Sequence, residues 1–149
     1  MSKIILDNER LFCLELIKYF NDTFGDLFTI KKIRYNKSFV DMYIFNNNHG
    51  TIAYIEHKGL LQPINKDYHI INLTKIINIL KSYPNSFVVW DYRFADGDLY
   101  YKKVDEMFLK YDRGECRDQN IIKVPICETK LGFNELCEEL LMLLIVKNL

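Results

Sequence analysis

The spacing of apolar side chains changes several times along the chain, and each change marks an element. Over residues 7–24, DNERLFCLELIKYFNDTF, apolar positions 12, 16, 20 and 24 recur with helical period, Asp7 or Asn8 can cap the start, and Gly25 offers a stop. The period then falls to two. LFTIKKIRY at 27–35 and SFVDMYIF at 38–45 alternate as strands, NNNHG at 46–50 supplies the Asn and Gly of a tight turn, and TIAYIEHK at 51–58 continues the alternation. These three strands predict an antiparallel meander. After a Pro-containing loop at 59–68, YHIINLTKIINILKSY reads as a second helix from its apolar positions 73, 76, 77 and 80, ended by Pro84.

The second half is less regular. SFVVWDYRF at 86–94 is a continuous apolar run that suits a buried strand, and ADGD is a hairpin turn into LYYKKV. Residues 105–119 are charged and aperiodic, a loop or a short polar helix. IIKVPI predicts a short edge strand limited by Pro125. FNELCEELLMLLIVKNL is a closing helix, apolar on nearly all sides after Leu140, which either packs under the sheet or forms a subunit interface. Strands and helices in this order predict an α/β (α+β) chain, a mixed central sheet flanked by helices, with residues 1–149 forming a single domain.

Charge and cysteine usage narrow the function classes. Twenty basic and 20 acidic residues give a formal net charge of zero, so polyanion binding requires a local patch. KKIRYNK provides one, in Lys31, Lys32, Arg34 and Lys37, although lysines also protect strand edges. Cys13, Cys116, Cys127 and Cys137 form no CxxC pair and have no His at zinc-ligand spacing, which points to free thiols in a reducing compartment. The apolar run LLMLLIV is far shorter than the ~20 residues of a membrane helix. A cytoplasmic protein is expected, in the nucleoid or nucleus according to its source.

Three charges interrupt the central hairpin. Asp41 sits inside the second strand, and Glu56 and Lys58 close the third; two positions apart on a strand, Glu56 and Lys58 share a face, roughly 7 Å from each other. Pairing across the turn brings Asp41 near Glu56 only if several turn residues are unpaired. Two carboxylates that meet at a sheet end repel unless a cation lies between them, and hard oxygen ligands suit Mg²⁺ or Mn²⁺. Such an ion polarises a phosphoryl oxygen, and a neighbouring ammonium stabilises the charge that develops on phosphate.

Asp41 followed by Glu56-His57-Lys58, on the second and third strands after an N-terminal helix, resembles the PD-(D/E)XK nuclease superfamily, with its Holliday junction resolvase-like branch. The resemblance covers residues 7–94 and implies a restriction endonuclease-like core in the order α-β-β-β-α-β. It implies that Asp41 and Glu56 bind Mg²⁺ or Mn²⁺ and that Lys58 assists the attacking water. Val40 stands where the family usually has proline before the aspartate. The family often adds a glutamate from its first helix. Glu9 falls in line with Phe12, Leu16 and Phe20, whereas Glu15 projects toward Lys18 and Asp22, so Glu9 is preferred and Glu15 held as the alternative.

The expected function is metal-dependent hydrolysis of DNA, with an endonuclease dimerising through its C-terminal helix and Lys31, Lys32, Arg34, Lys37 and Gln62 contacting nucleic acid. Two rivals remain at this stage: a catalytically inactive nuclease-fold subunit that binds DNA or protein, and a small interaction protein in which Glu56 and Lys58 form a surface ion pair. His57 faces away from Glu56 and Lys58 and reads as a packing residue; His49 reads as solvated and His69 as structural. Asp91 and Arg93 can form an ion pair near a sheet edge, and Trp90 and Tyr92 read as core and surface aromatics.

Overall fold

The apolar stripe of the first segment is a buried one. On helix α1, Lys3–Phe24, the side chains of Phe12, Leu16 and Phe20 are fully buried; each removes enough apolar surface from water to contribute about 1.5–3 kcal/mol. The computed structural model describes residues 3–33, 39–64 and 66–145. The helix begins four residues before the predicted cap, because Lys3-Ile4-Ile5-Leu6 contains no helix breaker, so Asp7 and Asn8 lie inside it. Gly25, at φ +60°, turns the chain through a single 3₁₀ turn into β1, Phe28–Lys32.

Strands β1, β2 (Met42–Asn46) and β3 (Ile52–Gly59) form the antiparallel meander, with Ile30 opposite Ile44 and Ile44 opposite Ala53. Asn46 builds the turn between β2 and β3. Its side-chain oxygen accepts the amides of Asn48 (2.9 Å) and His49 (3.2 Å), and its amide donates to the carbonyl of Leu144 (2.9 Å). The chain then forms β4 (Tyr68–Asn72), α2 (Leu73–Ser82) and β5 (Ser86–Asp91), which runs parallel to β3. After β5 come β6 (Leu99–Lys103), a 3₁₀ turn at Glu106–Lys110, β7 (Arg113–Cys116), β8 (Gln119–Pro125), β9 (Lys130–Leu131) and α3 (Phe133–Ile145).

A six-stranded mixed sheet, ordered β1-β2-β3-β5-β6-β9, carries α1 and α3 on one face. On the other lie α2 and a second antiparallel sheet, ordered β4-β8-β7. Strand β5, buried along its whole length, explains its unbroken apolar run: Phe87 and Val89 join the core beneath α1 and α3, while Val88 and Trp90 join the core beneath α2. The expected mixed α/β sheet flanked by helices is therefore present, and the order α-β-β-β-α-β holds for its central elements once β4 is assigned to the second sheet.

Three predictions need correction. Residues 68–72 are strand, not helix: His69 and Ile71 are buried between half-buried neighbours, and Asn72 accepts the Lys75 amide (3.1 Å), so the helix starts after it. The aperiodic region contains β7, joined to β8 by Arg117 and Asp118, both at positive φ. Strand β8 is central rather than an edge, with Pro125 tolerated at its last position opposite Tyr68. Between the two uses foreseen for α3, the structure has it packed under the sheet. Leu136, Cys137, Leu140 and Leu144 are buried within the chain, and Met142 remains exposed. Among the described residues, no helix is long and apolar enough to cross a membrane.

Candidate active site

The β2–β3 ladder breaks its regularity at Asp41. Continuing the register Met42↔Ile55 places Asp41 opposite Glu56, but the Asp41 amide donates to the carbonyl of Ile55 (2.8 Å), one residue short. Val40 and Met42 consequently face opposite cores, which two residues of a regular strand cannot do. Asp41 Oδ2 accepts the backbone N–H of His57 at 2.7 Å. The carboxylate thus replaces a backbone acceptor at the sheet end, and the turn closed by the Asn46 amide on the Thr51 carbonyl (2.9 Å) sets the register that puts it beside Glu56.

Glu9 and Glu56 converge on this carboxyl from separate elements. Glu56, 2 % exposed, projects from β3 on the face shared with Val88 and Lys58, and Glu9 reaches Asp41 from α1. Burial, then the hydrogen bond and charge of Glu56, push the Asp41 carboxyl up to about 7. Burial and Asp41 likewise raise Glu9. Lysines surround the acids. Lys75, in the first turn of α2, ion-pairs with Glu56, and Lys32 Nζ lies 3.4 Å from Glu9 Oε2. Burial and the neighbouring Lys75 lower Lys58, which is close enough to feel Glu56, Asp41 and Cys116 as well.

Of the residues predicted from sequence, Glu9, Asp41, Glu56 and Lys58 come together. Lys32 joins them through Glu9, Lys31 is exposed on β1, and Gln62 is exposed in the loop after β3. Arg34 and Lys37 lie outside the described residues. Glu15 goes elsewhere, forming a paired contact with Arg93 (2.8 and 2.9 Å). Lys75 was missed; the available signal was Asn72 as an N-cap, which places residue 75 on the first helical turn.

Behind the cluster, on the face of α1, lies a second charged chain. The His57 ring stacks on Phe12 (4.6 Å) and its Nε2 is 3.0 Å from Asp91 Oδ2. Asp91 also accepts from Arg93 Nε (2.9 Å) and the Arg93 backbone amide (3.1 Å). Burial would raise Asp91, but the hydrogen bonds and charges of His57 and Arg93 hold it well below the usual carboxylate range. The foreseen Asp91–Arg93 pair exists, on a central strand rather than at an edge. It fixes α1 to the sheet through Arg93 and Glu15.

The donor chemistry suits a hard divalent cation, because Asp41 and Glu56 bring carboxylate oxygens close together at the end of β3. Among the described residues, no three His, Cys, Asp or Glu side chains close around an ion as they stand. Glu56 and Glu9 are instead ion-paired with Lys75 and Lys32.

This is a nuclease-like α/β fold. It is shared with D212, a nuclease from a fusselovirus, at a TM-score of 0.54 over 85% of this chain and 83% of that one, with 12% sequence identity. No protein-family model matches the sequence, and no curated protein is similar to it.

Proposed function

We propose that the chain is a PD-(D/E)XK nuclease that hydrolyses phosphodiester bonds of DNA with Mg²⁺ or Mn²⁺. The observation that carries this reading is the convergence of Glu9, Asp41 and Glu56 beside Lys58 and Lys75 at the end of β3. The nuclease fold shared with D212 supports it.

Asp41 and Glu56 would hold the ion, with Glu9 orienting Asp41 from α1. Such an ion supplies polarisation of a phosphoryl oxygen and a more acidic water. Lys58, its proton loosened by burial and by Lys75, is suited to orient the attacking water and exchange a proton with it. Lys75 lies where an ammonium can neutralise a phosphate oxygen once Glu56 turns toward a cation. The His57 amide keeps Asp41 aimed along the sheet end while these changes occur.

Supercoiled and branched DNA incubated with Mg²⁺ or Mn²⁺ tests this reading. Cleavage by wild type should fall at least about 100-fold in Lys58→Met and in Glu56→Gln. Equal trace activity in all three proteins would remove the assignment. The Lys75–Glu56 ion pair favours one rival, a nuclease-fold subunit that binds without cutting. If wild type and Lys75→Met both bind DNA and neither cuts with either metal, that rival takes its place.

A further inference from the structure

A cavity of about 220 Å³ opens on the face of the main sheet that carries Glu56 and Lys58. Trp90 of β5, Tyr92 just after it and Tyr68 and His69 of β4 line it with Gln62 and Lys66 of the loop between β3 and β4; Trp90 and His69 are themselves fully buried, so the ring open to a ligand is Tyr68. Both strands that lead into it, β3 and β5, are parallel and present their carboxyl ends there, the position where open α/β sheets place ligands. Leu60, which also lines the cavity, lies two residues beyond Lys58, roughly 7 Å by strand rise. A nucleotide with its phosphate beside Lys58 can therefore place a neighbouring base in the cavity.

The chemistry of the lining specifies what fits. The volume lies below the ~300–1,000 Å³ of sites for drug-sized ligands, so it admits a group the size of one heterocycle. The lining mixes aromatic rings with the aliphatic Leu60, Pro63, Ile64 and Ile70, and among the described residues it holds no carboxylate, unlike the larger groove beneath α3, which is lined by Glu135, Glu138 and Glu139. His69 is committed, stacked on Trp90 (4.7 Å) with Nδ1 3.0 Å from the Tyr92 hydroxyl, so it stiffens the floor. Two ammonium groups, Lys66 and Lys123, lie 5.5 and 5.2 Å from the centre of the Tyr68 ring. Two cations on one half-buried ring attract an anion to the rim.

We infer that this cavity receives one unstacked nucleobase of a single-stranded or locally opened nucleic acid, with Tyr68 as the aromatic wall and Lys66 and Lys123 on the adjoining phosphates. Gln62, with both an amide donor and a carbonyl acceptor, is suited to hydrogen-bond a base edge. Recognition of an unpaired base sets the substrate class: strands that are open near the cut, in preference to continuous duplex. The inference rests on the proposed nuclease reading for its phosphate position, but not for the pocket itself.

The test is fluorescence anisotropy in EDTA, with a short labelled oligothymidylate as one probe and the same deoxyribose-phosphate backbone lacking bases as the other. Wild type should bind the base-bearing strand roughly tenfold more tightly, and Tyr68→Leu and Gln62→Ala should shrink that preference. Gln62→Ala alters only an exposed loop residue and keeps the test valid if Tyr68→Leu unfolds. Equal affinity for the two probes, no binding of either, or an unchanged preference in Gln62→Ala together with any folded Tyr68→Leu would overturn the inference. Cleavage is scored separately with Mg²⁺. Base-dependent binding without cleavage leaves the pocket standing and removes hydrolysis, whereas cleavage without base preference does the reverse.

Discussion

Replacing Asp41 by Asn should stabilise the protein at neutral and alkaline pH. The folded carboxyl titrates at about 7 instead of 3.8, so above pH 7 the native state carries a charge that burial and Glu56 disfavour. Its folded value is raised, hence the native state binds more protons than the unfolded chain between those limits, and stability falls as pH rises through them. The ceiling of that loss is about 4 kcal/mol, at 1.36 kcal/mol for each tenfold change in proton affinity. Asparagine is itself a buried polar side chain with a desolvation cost, so only part of that ceiling is recovered: Asp41→Asn should gain about 2 kcal/mol at pH 8, or about 4–8 °C in Tm. The side-chain oxygen of Asn still accepts the His57 amide, so the ladder stays paired.

His69 works in the opposite sense. Burial lowers it from 6.5 to about 4, so the unfolded chain binds more protons between those values and stability rises with pH there. In wild type the two slopes oppose each other; in Asp41→Asn the His69 slope stands more exposed, softened by what remains of the raised Glu9. Thermal melts of both proteins from pH 4 to 8.5 are the assay. A variant less stable than wild type at pH 8, or a parallel pair of pH profiles, would refute the account of Asp41.

Further outcomes follow from the same geometry. Mg²⁺ should raise the wild-type Tm at pH 8 by mass action and leave that of Asp41→Asn nearly unchanged, as read by differential scanning fluorimetry with and without EDTA. Arg93→Ala should cost about 3–5 kcal/mol in urea denaturation, because it leaves Asp91 buried with one partner fewer, and Glu15→Gln should cost much less. Asn46→Ala should cost about 2–3 kcal/mol by the same assay, since it strips the β2–β3 turn of its acceptor and removes the buried hydrogen bond to the Leu144 carbonyl.

The central hairpin and its charges were legible because strand period, turn residues and misplaced polar side chains all coincide there. Helical phase chose Glu9 over Glu15 once the family resemblance called for a glutamate on the first helix: Glu9 shares a face with Phe12, Leu16 and Phe20, which the structure buries. Strand β4 was hidden because it is only five residues long, ending at Asn72, too few for a two-residue period to outweigh the helical spacing beyond it. Strand β7 was hidden for another reason: it is an edge strand with mostly exposed side chains and has no apolar alternation to read. For Lys75 the Asn72 cap could place it on the first turn of α2, but its meeting with Glu56 depends on how α2 docks over β3, a tertiary relation that no local pattern encodes. The same holds for the chain from Glu15 through Arg93 to Asp91 and His57, whose members are as far as 78 positions apart.

The bond from the His57 amide to the Asp41 side chain also bears on how descent should be read in this fold. Folding asks only for a side-chain acceptor at position 41, which asparagine supplies without the buried charge. Lineages that abandon hydrolysis should therefore lose Lys58 and drift from aspartate to asparagine at position 41. A retained acceptor is a record of architecture, and a retained aspartate charge is the mark of a site still in use.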